Sequence, residues 1–408
     1  MTPNNPSRSI QSATPMEFGG TAAICAVAAM IGVLFAGSTA VTPLYVMYKQ
    51  EFGFSQISLT LIYAVYIIGN LTALLLFGRL SDQIGRRRAA AIAMSMAIVS
   101  ALVFLSARGV ASLYLGRVLS GIAIGTGGGT GTAWLAELIA DPKKTRATVI
   151  ATSANFAGLG LGGFIAGMLA EYSPWPLQVP FAVYLLALLV VAALLWSAPE
   201  TVSQPRPNIS HLLVRPRVSV PSNIRAQFVA PAVTGFGAMA LVGFYAALAP
   251  TVLADQLHQT SHAVAGAIFL ELAAVVAASI VATQSLSSRA AMLWGLALMP
   301  PSVGLVVAAQ LEGSMSIMII ATALCGVAAG LGYRGSLQVV NQIAPAERRA
   351  EVVSAYLICV FLGNALPVIG IGVISTLASA TAASMAFAAT IAAFALIALV
   401  FGSRYAPS

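Results

Sequence analysis

One short segment concentrates charge in a chain that carries little of it. Residues 78–88 read Gly-Arg-Leu-Ser-Asp-Gln-Ile-Gly-Arg-Arg-Arg between two apolar runs, although only 8% of the chain is charged. Asp82 and Arg86 are four residues apart, so an acid and a base can meet on one turn of a helix. A segment that only held positive charge at a membrane surface would need neither this acid nor the two glycines, Gly78 and Gly85. We refer to residues 78–88 as the charged turn.

Three further charged residues lie several residues inside apolar runs, where a charge is costly and is usually paired or functional. Glu271 alone among the twelve acids falls near the centre of such a run. Burial disfavours its charged form, so it can take up and release a proton; a neutral carboxyl hydrogen-bonded to a neighbouring helix is the alternative. Arg117 and Arg334 lie nearer the ends of their runs, where each either serves a site or extends its side chain to the membrane surface. In a site, Arg334 would meet an anionic group of a substrate.

A polar stripe and two glycine ladders complete these features. Tyr63, Tyr66 and Asn70 recur at spacings of three and four, which places them on one helix face. This polar stripe either lines a cavity with stacking rings and an amide or makes an ordinary helix contact. Glycines at every fourth position let a neighbouring backbone approach closely. The two ladders consist of Gly121, Gly125 and Gly129, and of Gly158, Gly162, Gly163 and Gly167.

Twelve apolar runs must position these residues. Hydrophobic residues make up 59% of the 408-residue chain, more than a soluble domain of this length carries. Each run is long enough to cross a hydrocarbon core of about 30 Å, and only helices satisfy their own backbone there. The sequence therefore predicts an all-α membrane protein. In chain order, spans 1–12 cover residues 21–46, 57–77, 89–107, 112–138, 147–169, 179–197, 229–253, 262–283, 289–309, 314–340, 352–375 and 379–402.

The long polar interruption at residues 198–226 divides the spans into six and six. It contains five prolines and four arginines. We therefore predict one bundle over residues 21–197 and a second over residues 227–402, joined by this cytoplasmic linker. Residues 1–20 and 403–408 are the predicted tails. Transporters built from two such repeats bind their substrate near the midplane, between the halves.

Basic residues indicate the orientation of the chain. If the N-terminus is inside, the outer loops carry only Lys49 and Arg108, and nearly all other Lys and Arg residues are cytoplasmic. This asymmetry predicts that both termini are cytoplasmic. The net charge of +8 is then mainly a topology signal, and bases spread over several loops do not predict nucleic-acid binding. The polar N-terminal tail predicts no cleavable signal peptide, and the compact length favours a bacterial plasma membrane, that is, the inner membrane.

The remaining reactive side chains do not predict catalysis. Cys25, Cys325 and Cys359 lie inside predicted spans without a cluster of Cys or His, which argues against disulfides and metal ligands. No constellation of His, Asp and Glu, no phosphate loop and no metal-ligand spacing supports an enzyme. We therefore expect neither a metal nor a cofactor.

The charged turn resembles the loop after span 2 of major facilitator superfamily transporters, which reads approximately Gly-x-Leu-Ala-Asp-x-x-Gly-Arg-Arg/Lys. The matching residues are Gly78, Leu80, Asp82, Gly85, Arg86 and Arg87. The resemblance implies that the turn is a gate element that latches the two halves at the cytoplasmic face, reaching span 11 and an acid at the end of span 4. Glu137 occupies the position of that acid, with Arg146 close behind.

Spans 4 and 5 extend the resemblance. Arg117 and the glycines that follow it resemble the span 4 motif of the family, whose arginine is associated with proton coupling. Gly158–Gly167 resembles the span 5 pattern of proton antiporters, with Gly163 in place of a proline. The family fold implies a central cavity formed by spans 1, 4, 7 and 10, flanked by spans 2, 5, 8 and 11, and two halves that rock about it.

The expected function is secondary transport. We expect proton-coupled efflux of amphipathic drugs or metabolites by alternating access, with proton coupling at Glu271 and Arg117. The polar stripe and Arg334 are the expected substrate residues. The alternative is a symporter or uniporter for a small organic anion that uses Arg117 and Arg334. Expected partners are a small-molecule substrate, protons and membrane lipid, and the chain is expected to act as a monomer.

Overall fold

The computed structural model describes residues 20–77, 80–139, 145–203 and 218–405. Within these ranges it contains twelve helices, or helix groups, long and apolar enough to cross a membrane, and it contains no β-strand. They correspond to the twelve predicted spans and keep their numbers. Gly78, most of the predicted N-terminal tail and the middle of the linker lie outside the described residues.

Spans 1–6 form the first bundle. Their helices are Gly20–Thr39 and Tyr45–Phe52 in span 1, then Gln56–Phe77, Arg86–Leu105, Val110–Leu138, Thr145–Tyr172 and Val179–Trp196. A 3-10 turn containing Pro43 interrupts span 1, and Gly53 ends it with a φ of 64°, a left-handed conformation that glycine adopts without strain. The short helix Leu80–Ile84 carries the acid of the charged turn.

Spans 7–12 form the second bundle. Their helices are Arg225–Ala247 followed by the short Ala249–Asp255, then His262–Ala282, Ser288–Glu312, Met315–Ile343, Arg349–Leu377 and Ala380–Tyr405. Ser261, Ser287 and Ser314 cap spans 8, 9 and 10, because each side chain accepts a hydrogen bond from a backbone N–H in the first turn.

The two ends of the molecule are distinguished by the linker. We call the end where span 6 finishes and span 7 begins the linker face, and the other end the opposite face. Because each span crosses once, odd-numbered spans begin at the linker face and even-numbered spans begin at the opposite face. The linker face is the cytoplasmic one in the orientation expected from the sequence.

The two bundles meet along a few pairs of spans. Span 5 packs along span 8, and span 2 packs along span 11. The last part of span 1, from its 3-10 turn onward, packs against spans 7 and 8. Spans 3, 6, 9 and 12 lie at the periphery. This arrangement leaves eight spans around the centre of the molecule, where a site between the halves can form.

Candidate functional site

A cavity of about 170 Å³ lies between the two bundles. Its walls come from spans 1, 2, 4 and 5 of the first bundle and spans 7, 8, 10 and 11 of the second, the eight spans that the family resemblance implies. Within the described part of the chain, no acidic or basic side chain lines it. Its polar wall consists of Ser38, Thr39, Tyr63, Tyr66, Asn70, Thr152, Asn155, Tyr333 and Asn364. The polar stripe of span 2 therefore faces a cavity.

A hydrogen-bonded bridge crosses this cavity from one bundle to the other. The Tyr63 hydroxyl donates to the side-chain oxygen of Asn364 at 2.5 Å, and the Asn364 amide nitrogen donates to the Tyr66 hydroxyl at 2.9 Å. The two tyrosine rings meet edge to face with centroids 5.5 Å apart, and all three residues are buried. Asn364 was not among the residues predicted from the sequence, although an isolated amide inside an apolar span was a signal for it.

Arg117 is fully buried behind the polar stripe. Its guanidinium donates to the carbonyl of Ser38 at 2.7 Å and to that of Tyr63 at 3.4 Å. The guanidinium carbon lies 4.5 Å from the ring centroid of Tyr66 and 5.4 Å from that of Tyr63, within the range of cation–π attraction. Among the described residues its Nε has no hydrogen-bond partner, and it forms no ion pair with an acid. Arg117 therefore does not extend to the membrane surface, and no acid among the described residues pairs with its charge beside the cavity.

Toward the opposite face, contacts between the bundles close the cavity. The Thr42 hydroxyl donates to the carbonyl of Ala246 at 2.8 Å, and the backbone N–H of His262 donates to the Glu171 carboxylate at 2.8 Å. The His262 Nδ1 atom lies 3.1 Å from the carbonyl oxygen of Pro43. Because a carbonyl only accepts, Nδ1 carries the hydrogen in this contact.

Toward the linker face, a second cavity of about 570 Å³ continues from the first. Both cavities share Phe35, Asn70, Asn155 and Tyr333 in their walls. Spans 1, 2, 4, 5, 10 and 11 form the second cavity, which includes the glycine-rich part of span 4. The molecule is therefore open at the linker face and closed at the opposite face.

The charged turn forms an ion-paired cluster at the linker face. The Arg86 guanidinium lies 2.6 Å from the Asp82 carboxylate and donates to Glu137 from Nη2 at 2.5 Å and from Nε at 3.1 Å. Two parallel bonds of this kind fix both the distance and the orientation of the pair. These contacts join span 3 to span 4, as the resemblance implies for Glu137; contact with span 11 stays a prediction. Arg146 is exposed at the start of span 5.

Glu200, in the first residues of the linker, is a second partner of the turn and was not predicted from the sequence. Its carboxylate accepts hydrogen bonds from the backbone N–H groups of Arg86 and Arg87 at 2.9 and 3.0 Å. A carboxylate at this helix N-terminus is favoured by the helix dipole. Gly85 has a φ of 98°, and a Cβ atom there would lie 2.6 Å from Glu200 Oε2. The glycine is therefore needed both for its backbone conformation and for the approach of the linker.

The glycine ladder of span 4 allows close contact with span 2. A Cβ atom on Gly121 would collide with the carbonyl oxygen of Tyr66, and one on Gly125 would lie 2.5 Å from that of Asn70. Gly129 has no such neighbour within 4 Å and lines the cavity that opens at the linker face. The ladder thus brings span 4 directly behind the polar stripe.

The glycine ladder of span 5 serves two neighbours. Cβ atoms on Gly158 and Gly162 would collide with the backbone of span 1, and one on Gly167 would collide with the backbone of span 8 at His262. A Cβ atom on Gly163 would make ordinary van der Waals contact, 3.4 Å from a span 8 side chain. The ladder therefore packs the first bundle internally and against the second. Its role in antiport stays a prediction.

Glu271 lies midway along span 8 and is half-buried. It does not line the central cavity, although Phe269 on the same helix does. It is within electrostatic range of Tyr245, whose hydroxyl lies 3.1 Å from that of Thr322 inside the second bundle. Proton handling by Glu271 stays a prediction, at a position beside the cavity rather than in its wall.

Arg334 lines neither of the two central cavities, and its expected contact with substrate stays a prediction. Its guanidinium donates to the carbonyl of Thr283 and, at 3.0 and 3.2 Å, to those of Gln284 and Leu286. These carbonyls end span 8, where a helix carries partial negative charge and a nearby cation is favourable. The preceding residue, Tyr333, lines the cavity instead.

Two helical bundles around a cavity that is open at one end define a polytopic membrane transporter. The model of the Major Facilitator Superfamily matches residues 27–366, and the chain belongs to that family. It is therefore a transporter and not an enzyme.

Individual relatives show how far the likeness extends. Over 155 residues the chain is 31% identical to a gallate transporter of Pseudomonas putida, a match that covers 37% of this chain and 34% of that protein. A bacterial homologue of the human lysosomal transporter Spinster, in an inward-facing and occupied conformation, is 15% identical with a TM-score of 0.75, over 96% of this chain and 97% of that one. A D-xylose–proton symporter is also 15% identical, with a TM-score of 0.73 over 95% of this chain and 98% of that one. At these identities the two structures show the fold alone.

Proposed function

We propose that this transporter carries small organic anions with one planar ring, together with protons. The observation that carries the proposal is the buried positive charge of Arg117, which lies against Tyr63 and Tyr66 without an acidic partner among the described residues. This favours the alternative from the sequence, an anion symporter, over the efflux of amphipathic compounds that the sequence placed first. Arg117 alone, without Arg334, supplies the charge.

An anion in the cavity would supply the missing counter-charge. Two unit charges about 8 Å apart at an effective dielectric constant of about 20 attract each other by about 2 kcal/mol. That energy corresponds to a gain in affinity of roughly 30-fold.

The cavity also offers unpaired hydrogen-bonding groups. The Asn70 amide nitrogen and the Asn155 side-chain oxygen both line the cavity and are buried without a partner among the described residues. A buried polar group without a partner is costly, so both groups favour a ligand that satisfies them. A carboxylate would accept from Asn70, and a hydroxyl on the same ligand would donate to Asn155. The pair therefore supports a hydroxylated acid as substrate.

The volume of the cavity supports a small substrate. A buried cavity of about 150 Å³ holds one benzene molecule, whereas pockets for drug-sized ligands occupy about 300–1,000 Å³. The central cavity has about 170 Å³, enough for one ring. Gallate, named for the relative in Pseudomonas putida, is a hydroxylated aromatic carboxylate of this size class.

Glu271 is the proposed proton-binding group. A proton would neutralise a carboxyl at membrane depth and so change the relative stability of the two conformations, while an anion beside Arg117 would bias the same equilibrium. Coupling requires no more than this shared equilibrium. Anion and proton would then move in the same direction.

The orientation, location and oligomeric state of the transporter are also proposed. The distribution of Lys and Arg supports an orientation with both termini and the linker in the cytoplasm, and a bacterial inner membrane as location. The eight spans around the cavity all belong to one chain, which supports a monomer as the transport unit.

Proton-coupled efflux of amphipathic compounds is the second candidate. The observation that favours it is the larger cavity of about 570 Å³ at the linker face, which is lined mainly by apolar side chains. A larger apolar ligand would enter there and bind across both cavities. Substrate and proton would then move in opposite directions, which separates the two candidates experimentally.

Uptake into proteoliposomes tests the proposal. Labelled 4-hydroxybenzoate is supplied at neutral pH with an imposed inward proton gradient, and protein-free liposomes correct for passive entry. We expect uptake that the gradient stimulates and that gallate inhibits. Arg117→Gln should raise the half-saturating concentration roughly 30-fold, as the estimated attraction requires. Asn70→Leu should weaken binding while leaving the charge intact.

Arg108→Gln is the matched control, because Arg108 is exposed at the opposite face and its substitution removes the same charge outside the cavity. An equal effect of Arg108→Gln and Arg117→Gln would reject the role of the buried charge. Absence of aromatic-acid uptake, together with proton release driven by a lipophilic cation, would replace the proposal by efflux. Glu271→Gln should abolish stimulation by the gradient and preserve exchange of labelled for unlabelled anion.

A further inference from the structure

A groove of about 500 Å³ lies on the outside of the first bundle, between spans 3 and 6 near the linker face. It is separate from the central cavity, to which neither span contributes. Small residues, Ala91 and Ser95 on span 3 and Ala192 on span 6, leave the space, and Met94 and Leu195 form its floor. From Arg88 the groove continues along span 3 to Ile98, a length of about 15 Å at 1.5 Å per residue.

Two arginines form the end of this groove at the linker face. Arg87 donates to the carbonyl of Trp196 at 2.5 Å and lies 5.8 Å from the centroid of its ring. Arg88 is exposed and has no hydrogen-bond or ion-pair partner among the described residues. Both belong to the first turn of span 3, where the helix dipole disfavours a cation. An anion at this position would offset both charges.

The acid at this end is already engaged. Glu200 lines the groove, but its carboxylate accepts backbone hydrogen bonds from Arg86, Arg87, Thr201 and Val202 at 2.9 to 3.1 Å. Its charge is therefore directed at the N-terminus of span 3 and at the linker backbone. Arg88 is left as the cation available to an external anion.

We propose that this groove binds one anionic phospholipid from the leaflet at the linker face. Its phosphate would pair with Arg88 and Arg87, and an acyl chain would lie along Ala91, Ser95 and Ile98. Arginine forms strong charge-assisted bonds with phosphate oxygens. The indole of Trp196, 70% exposed beside the arginines, suits the headgroup level of a membrane. A soluble phosphate would need the arginines but not the apolar groove, so the combination favours a lipid.

Lipid retention in native mass spectrometry tests this site. The purified full chain is mixed with equal amounts of phosphatidylglycerol and phosphatidylcholine, and the bound lipid is measured after detergent removal in the gas phase. We expect preferential retention of phosphatidylglycerol. Arg88→Gln should reduce it about fivefold, the factor that corresponds to one basic residue at an anionic membrane surface. Ser95→Leu, which fills the groove and keeps both arginines, should reduce retention of the same lipid.

Arg404→Gln is the matched control, because Arg404 is exposed at the linker face in the last turn of span 12, away from the groove. Equal retention of the two lipids, or an equal loss in Arg404→Gln and Arg88→Gln, would overturn the proposal. Inorganic phosphate is tested separately by thermal shift. Suppose that phosphate stabilises the protein, that Arg88→Gln but not Ser95→Leu removes this stabilisation, and that neither lipid is preferred. The arginines would then be assigned to a soluble anion instead. All of these readouts are independent of the transported substrate.

Discussion

Removing the Tyr63 hydroxyl is expected to shift the protein toward a conformation that is open at the opposite face. Here that hydroxyl donates to Asn364 across the two bundles at 2.5 Å. When the bundles separate, both groups gain access to water, so the bond stabilises the closed arrangement only. Tyr63→Phe leaves the Asn364 oxygen buried without this donor, at a cost of about 1–3 kcal/mol. The conformational equilibrium should therefore shift by roughly 5- to 150-fold.

Distances between spin labels at the opposite face measure this shift. Nitroxides at Glu51→Cys and Ser379→Cys occupy exposed positions at the ends of spans 1 and 11, in a variant whose native cysteines are replaced. Double electron–electron resonance in lipid nanodiscs then gives the populations of short and long distances. In Tyr63→Phe the long-distance population should increase relative to the parent.

Tyr48→Phe provides the control for this experiment. The Tyr48 hydroxyl is also buried, but it has no hydrogen-bond partner among the described residues, so its removal breaks no bridge. Its distance distribution should match that of the parent. An unchanged distribution in Tyr63→Phe, or an equal shift in both variants, would refute the argument that the Tyr63–Asn364 bridge holds the bundles together.

Three further predictions concern the charged turn and the glycine ladder. Gly85→Ala should lower the free energy of unfolding, measured by denaturation, by about 1–2 kcal/mol, because Gly85 has a left-handed backbone conformation and a Cβ atom there would collide with the Glu200 carboxylate. Gly109→Ala, at a position with no neighbour within 4 Å of the added Cβ atom, should cost less than half as much in the same assay. Gly121→Ala should lower the thermal unfolding temperature by several degrees, because the added Cβ atom would collide with the backbone of span 2. Gly129→Ala, where no neighbour lies within 4 Å, should leave that temperature unchanged. Equal effects of the two substitutions would reject the packing role of the ladder. Glu137→Gln should destabilise the protein by under about 1 kcal/mol, because the acid is partly exposed and solvent screens its pair with the arginine of the turn; a loss of several kcal/mol would show that the pair is desolvated in the membrane.

The sequence by itself determined the order of the spans, the division into six and six and the charged turn. A hydrocarbon core demands long apolar helices whatever their partners, so composition along the chain is sufficient to find them. The pairing of Arg86 with Asp82 is equally local, because residues four apart meet on one turn. The polar stripe on span 2 was readable for the same reason.

Only the tertiary structure decided what these helices face. Arg117 and Arg334 were equivalent in the sequence, yet one is fully buried beside the cavity and the other caps the end of span 8. Asn364 and Glu200 gain their roles from partners more than a hundred residues away. Spans that are apolar around their whole circumference carry little periodicity, so the sequence does not reveal which side faces the cavity, a neighbouring helix or lipid. That choice is made by the packing of the two bundles.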